Sequence, residues 1–220
     1  MEGITIRHYQ KGDRSQIRKI ACDTAFVGEP ADIFFNDSFN DREILADFLT
    51  KYYTDYEPDS CFVAQNPDGR IVGYLIGAKN TRVSDRAFQT KILPVLFKNA
   101  ILSATFFKKK NFSFLLHCIM SFLSKEFKMP DFRREYPATL HINIEEKSRQ
   151  LKIGSRLISV YLDYLVQEKI PGVAMATMSS RAGEFFIQQG FKLLYKGRRS
   201  YFHYILRKDI TVYTYGKKLI

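Results

Sequence analysis

Between Thr139 and Val160 the chain reads TLHINIEEKSRQLKIGSRLISV, and the period of its apolar residues changes inside that stretch. Leu140, Ile142 and Ile144 alternate as one face of a strand. After Lys152-Ile153-Gly154-Ser155, residues Leu157, Ile158, Tyr161, Leu162 and Leu165 recur at helical spacing. A strand that feeds a helix through a glycine-containing turn leaves several backbone N–H groups without partners at the helix start. Those amides and the positive end of the helix dipole suit a phosphate. Arg149, Lys152 and Arg156 surround them with positive charge. The competing reading is an ordinary strand–helix junction whose amides are capped by Ser148 or by water.

The segments on either side are consistent with a mixed α/β chain. ITIRHY (4–9) alternates as a first strand, and Gly12-Asp13 opens a helix carrying Ile17, Ile20, Ala21 and Thr24 that ends near Gly28 and Pro30. ADIFFNDSFN (31–40) reads as a loop, and a second helix begins at Asp41 with Ile44, Leu45, Phe48, Leu49 and Tyr52. Cys61 to Ala64 and Ile71 to Ala78 flank Asn66-Pro67-Asp68-Gly69. Proline in second and glycine in fourth place favour a type I turn, so these strands form a hairpin. Gly73 and Gly77 within its second strand imply a bulge or a close neighbour. Beyond the long helix, Pro171-Gly172 is a stop and Val173 to Met178 the next strand. SSRAGEFFIQQGF then forms a short helix, with Gly190 left-handed at its end and Phe191 packing back on Phe186. Leu193 to Lys196, a turn at Gly197 and Tyr201 to Arg207 supply a last strand pair, which TVYTYGKKLI extends or trails.

From Val83 to Tyr136 the character changes. Apolar runs ILPVLF, AILSATFF and FSFLLHCIMSFL are broken by Lys108-Lys109-Lys110, and ten basic face four acidic side chains, more than half of the chain's net +11. Two or three amphipathic helices inserted between the third and fourth strands account for this pattern. The segment is read first as a cap over a binding cleft; a homodimer face and a surface resting on anionic membrane are the other two readings. His117, inside an apolar run, reads as a core histidine.

At 220 residues and 45 % hydrophobic the chain is large enough for one domain over 1–220, with the basic insertion at about 83–136. Cys22, Cys61 and Cys118 have no metal-like spacing, so no metal site is expected, and they suit a reducing, cytoplasmic setting. MEGITIRHYQ lacks an apolar signal core, and no charge-free apolar run reaches the ~18 residues of a membrane span. The positive charge suits anionic partners; without a compact RNA-binding signature or a DNA-reading helix, nucleic acid is the weakest of them.

On these residues the chain resembles the GNAT N-acetyltransferase superfamily, whose pyrophosphate loop reads R/Q-x-x-G-x-G/A between its fourth strand and the next helix. Arg149-Gln150-Leu151-Lys152-Ile153-Gly154 matches at the first and last positions and carries Lys152 for the middle glycine. The later family pattern N-x-x-A-x-x-F-Y-x-x-x-G-F is met by Ala182, Phe185, Gly190 and Phe191. Ser179 replaces the asparagine, and Phe186 replaces the tyrosine proposed to protonate the leaving thiolate. The resemblance implies a GNAT-like α/β (α+β) fold: a mixed, mostly antiparallel sheet splayed between strands 4 and 5, flanked by helices, with a helical insertion between strands 3 and 4.

It also implies acetyl-CoA as acyl donor, bound by Ile142, Asn143 and Ile144 on the opened strand and by Arg149, Gln150, Leu151, Lys152, Ile153, Gly154 and Ser155 on the loop. Ser179 and Phe186 are the cofactor-binding positions on the later helix. The implied activity is direct attack by a primary amine of a small molecule or peptide on the thioester. A phenyl ring has no proton to give, so the family acid does not carry over to Phe186; Tyr195, Tyr204 and water are the alternatives. His141, Asn143 and Glu145 share one strand face by alternation. His141 is the first choice for base or proton shuttle, and Glu145 is a second base, an ammonium anchor or a solvated carboxylate. In the family the connection between the first two helices borders the acceptor, so Phe34, Phe35 and Phe39 are contacts there or packing. Two other function classes stand beside the enzyme: a degenerate GNAT that binds acyl-CoA with little turnover, and a basic protein bound to membrane or nucleic acid.

Overall fold

The computed structural model describes residues 3–36, 38–149 and 151–220. Strands β1 (Thr5–His8), β2 (Cys61–Gln65), β3 (Ile71–Ala78), β4 (Ala138–Ile144), β5 (Gly172–Thr177), β6 (Lys192–Arg199) and β7 (Ile210–Lys218) form one sheet in the order β1-β2-β3-β4-β5-β7-β6. All neighbours are antiparallel except β4 and β5. Helices α1 (Arg14–Asp23) and α2 (Phe39–Tyr56) cover one face, where Ile17, Ile20 and Ala21 meet Val63, Ile71, Tyr74 and Ile76. Helices α6 (Ile153–Gln167) and α7 (Ser180–Gln188) cover the other. There Leu157, Ile158, Tyr161 and Leu165 pack with Phe62, Leu75 and Leu140, and Phe186 packs with Met175 and Tyr215. Burial on that scale is worth roughly 2 kcal/mol for each large apolar side chain.

The hairpin turn is as expected, with the Gly69 amide donating to the Asn66 carbonyl at 3.0 Å. Gly77 is explained by a close neighbour. The Tyr161 hydroxyl donates to the Thr139 carbonyl (2.8 Å) over it, and a Cβ on Gly77 would lie 2.1 Å from that hydroxyl. Helix α7 ends with Gly190 at φ +83°, the Phe191 amide donating to the Phe186 carbonyl (3.0 Å) and the Gly190 amide to that of Ile187 (2.9 Å). That is the expected Schellman pattern.

The insertion holds three helices: α3 (Thr81–Ala87), α4 (Leu93–Leu102) and α5 (Lys109–Leu123). It starts two residues earlier than the sequence suggests, because the Asn80 side chain accepts from the Arg82 and Val83 amides and caps α3. A π-helical turn, Phe88–Ile92, precedes Pro94. Such a wide turn accommodates a ring that has no N–H to give and would crowd the carbonyl four residues back.

The C-terminal strands differ from the expectation. β6 continues through Gly197 to Arg199, and its partner is β7 at Ile210–Lys218, inserted between β5 and β6. Tyr201 to Arg207 is not a strand. It contains a helical turn, α8 (His203–Leu206), because Phe202, Ile205 and Leu206 fall on one side of it and join an aromatic cluster. Helix α2 begins at Phe39 rather than Asp41, and α1 stops at Asp23, ahead of Gly28.

Candidate active site

β4 and β5 pair only at Ala138–Val173 and Thr139–Ala174 and then diverge. The Glu145 amide donates to the Val72 carbonyl at 2.9 Å. Strand alternation therefore turns the main chain of His141 and Asn143 toward β3, and that of Ile142 and Ile144 into the wedge that β5 has vacated. The Ile144 carbonyl meets one partner there, Arg149 Nε, at 3.3 Å; the same guanidinium donates to the Gly28 carbonyl at 2.7 Å. Arg149 thus ties the strand end to the loop after α1.

The wedge opens toward the start of α6. A short 3₁₀ turn, Glu146–Ser148, leads to Lys152, which takes a left-handed conformation (φ +54°, ψ 15°). Among the described residues no side chain caps the helix, so Ser148 does not fill that role, and the first-turn amides have no intrahelical partners. Leu151, Lys152, Ser155 and Arg156 line a groove of about 640 Å³ with Ile4, Ser159 and Gln189. Ile153 points inward and is buried. α6 packs tightly at Gly154: a Cβ there would lie 3.0 Å from Phe185 and 3.3 Å from Ile144. Its glycine serves helix packing as well as the loop. Gln150 lies outside the described residues.

Ser179 stands on the β5 side of the wedge and caps α7, its hydroxyl accepting from the Ala182 amide at 3.2 Å. Phe186 is 2 % exposed and packs in the core between Phe185 and Phe191, so its ring is closed off from the groove. Of the two alternative acids only Tyr195 has an engaged hydroxyl; that of Tyr204 is buried with no hydrogen-bond partner among the described residues. The Tyr195 hydroxyl donates to the Lys128 carbonyl, and Tyr204 stacks on His117 beneath α5.

Across the sheet, on the side of α1, a polar strip runs through Tyr74, Asn143 and His141. Asn143 Nδ2 donates to the Tyr74 hydroxyl at 2.9 Å and lies 3.2 Å from His141 Nε2. An amide NH₂ can only donate, so Nε2 is the acceptor and the imidazole proton sits on Nδ1. Burial lowers the His141 pKa to about 4, which keeps the ring neutral at pH 7. Glu145 leaves this strip: Arg70 pairs with its carboxylate at 3.1 Å. Sequence alternation placed Glu145 beside His141, but the hairpin arginine draws it to the strand end.

The insertion packs on the same side of the sheet, against α2 and the loop after α1. Phe26 and Phe34 from the loop after α1, Phe114 of α5, Tyr201 and Phe202 before α8, and Met178 after β5 form one cluster. Phe34 is buried packing, whereas Phe39 is exposed at the start of α2. The insertion is pinned by Asp41, 0 % exposed, which accepts from Lys108 (2.5 Å), Thr105 (2.7 Å), Asn111 (3.1 Å) and Ser38 (2.5 Å). Burial opposes the charge on Asp41, yet these donors outweigh it and hold the carboxyl below its usual range.

No family model and no curated protein matches the chain by sequence. Solved structures do match it along its length. A crystal structure of SsHAT superposes with a TM-score of 0.71 at 20 % identity, covering 99 % of both chains. The Drosophila melanogaster polyamine N-acetyltransferase, an enzyme that catalyses the formation of N-acetylagmatine, matches with a TM-score of 0.60 at 16 % identity over 98 % of this chain and 100 % of that one. Salmonella typhimurium yncA, solved with its cofactor acetyl-CoA, matches with 0.55 at 11 % identity over 100 % and 95 %. The chain has the GNAT fold. Within that fold, Lys152 and Ser155 line the groove, Ile144 meets Arg149 at the end of β4, Ser179 caps α7, and Asn143 and His141 lie side by side on the α1 side of the sheet. Glu145 and Phe186 stand apart from these. Tyr74 and Asp41 were not singled out by sequence reading: one looks like an ordinary strand residue, the other like a helix-start carboxylate.

Proposed function

We propose that this GNAT-fold chain transfers an acetyl group from acetyl-CoA to a primary amine of a small molecule or peptide. The observation that carries the reading is the divergence of β4 from β5 onto an uncapped, cation-flanked helix start. Its residues fit an acyl-CoA. Main-chain groups of Ile142 and Ile144 would hold the pantetheine arm, and the α6 amides with Lys152 and Arg156 would hold the pyrophosphate. Acetyl-CoA supplies a thioester carbonyl as electrophile. A wedge-facing N–H of β4 is the donor for the negative charge that develops on its oxygen.

A general base works best with a pKa near the working pH. With a pKa of about 4 and Nε2 accepting from Asn143, His141 is a weak base at pH 7, and water takes the ammonium proton. Phe186 has no proton for the departing sulfur, so that proton also comes from solvent. The reading includes the reducing setting expected from three cysteines that remain free thiols.

Phe186 and the low His141 pKa favour one further reading, a chain that binds acetyl-CoA with little turnover. Thiol release should be measured across an amine panel that begins with agmatine and polyamines, the acceptor class of one structural relative, alongside calorimetry with acetyl-CoA. Amine-dependent release supports the transferase. Saturable binding without release across the panel supports the second reading, and no binding at all overturns both.

A further inference from the structure

Helix α5 is amphipathic in the reverse of the usual sense. Its buried and half-buried positions include Asn111, Ser113, His117 and Ser121, while Phe112, Leu115, Leu116, Ile119, Phe122 and Leu123 are exposed. At 3.6 residues per turn those six fall within an arc of about 120°. Scattered exposed apolar residues need no explanation, but a whole helix face does. Leu102 (74 % exposed) and Phe107 (81 %) extend the apolar surface just before the helix.

The charge around this face is predominantly positive, with Glu126, which accepts from Ser121 and Ser200, the acidic exception at its end. From Arg86 to Lys125 there is no aspartate or glutamate, against seven lysines and arginines. Lys109 and Lys110 stand exposed at the start of α5, and Lys125 and Lys128 just beyond its end. A second copy of the chain fits poorly here. Antiparallel pairing of two α5 helices would set the first lysine pair against the second, and parallel pairing would set each against itself. An anionic bilayer fits both features, since the apolar stripe enters the boundary between headgroups and acyl chains while the lysines meet lipid phosphates. No helix among the described residues is long and apolar enough to cross a membrane, so α5 would lie in the plane of the surface.

We propose that the outward face of α5 docks the protein on anionic phospholipid membrane. This inference does not depend on the acetyltransferase reading. The chain has no tryptophan, so Ile119→Trp places a single reporter at the centre of the stripe. Its emission should shift to the blue with vesicles of about 30 % phosphatidylglycerol in phosphatidylcholine, and stay unchanged with phosphatidylcholine alone. In co-sedimentation, Leu116→Glu in the otherwise native chain should abolish binding to the anionic vesicles. Lys109→Ala with Lys128→Ala should weaken it roughly ten-fold or more, as should raised salt. All of these side chains are exposed, and an unchanged melting temperature would confirm that the variants fold. No partition onto anionic vesicles, equal partition onto phosphatidylcholine, or binding indifferent to Leu116→Glu would each overturn the proposal. So would a dimer seen by light scattering that Leu116→Glu dissociates in a protein that ignores vesicles.

Discussion

Lys152 occupies a backbone conformation that the matching family pattern gives to glycine. A side chain at φ +54° costs roughly 1–2 kcal/mol, because its Cβ crowds the carbonyl oxygen. Lys152→Gly removes that strain but frees the unfolded chain, which returns about 0.5–1 kcal/mol of the gain. The expected outcome in urea unfolding is a net stabilisation of about 0.5–1 kcal/mol, with acetyl-CoA affinity several-fold weaker for want of the charge. A destabilised variant would show that the lysine side chain holds the loop in place. His141 makes a second prediction at this scale. Its pKa is depressed from 6.5 to about 4, so between those values the unfolded chain binds a proton that the folded chain refuses. Stability from this group is complete above about pH 6.5 and is lost as pH falls toward 4. Comparing pH 7 with pH 5, wild type should lose up to about 2 kcal/mol more than His141→Phe. Equal losses would place the imidazole in contact with water.

At the scale of elements, the insertion is fastened to the fold by Asp41. Asp41→Ala would strip four donors of their acceptor and should cost about 2–4 kcal/mol by denaturant melts. Because the anchor joins α2 to the start of α5, the change should raise the Michaelis constant for the amine and leave acetyl-CoA binding by calorimetry nearly intact. Loss of acetyl-CoA binding in a folded variant would mean that the insertion and the wedge are coupled. Lys108 belongs to this anchor and is engaged with Asp41, so among the three consecutive lysines it is not available to an acceptor. The strand–turn–helix at 139–160 was legible because the apolar period switches there from two to nearly four. The exchange of strand and helical turn after Gly197 was not, because YFHYILR is apolar at both spacings and only the cluster with Phe34 and Phe114 selects the helix. The Glu145–Arg70 pair was hidden for a related reason, since 75 residues separate its members in sequence.

At the scale of the whole molecule, two separate groups of positive charge bear on ligand binding. One set, Lys152 and Arg156, surrounds the start of α6 on one face of the sheet. The other belongs to the insertion, which packs against α2 and the loop after α1 on the opposite face. Charges separated by more than a Debye length, about 8 Å at physiological salt, act almost independently. Acetyl-CoA affinity should therefore fall as salt rises, because the ligand is polyanionic and the net charge is +11. Arg156→Ala should flatten that dependence, although its guanidinium also donates to the Ile4 carbonyl at 2.9 Å, so a melting curve must accompany the titration. Lys109→Ala with Lys128→Ala should leave the dependence as it is. If the insertion variant flattens it and Arg156→Ala does not, the nucleotide end of acetyl-CoA lies against the insertion rather than at α6, and the assignment of the wedge is reversed.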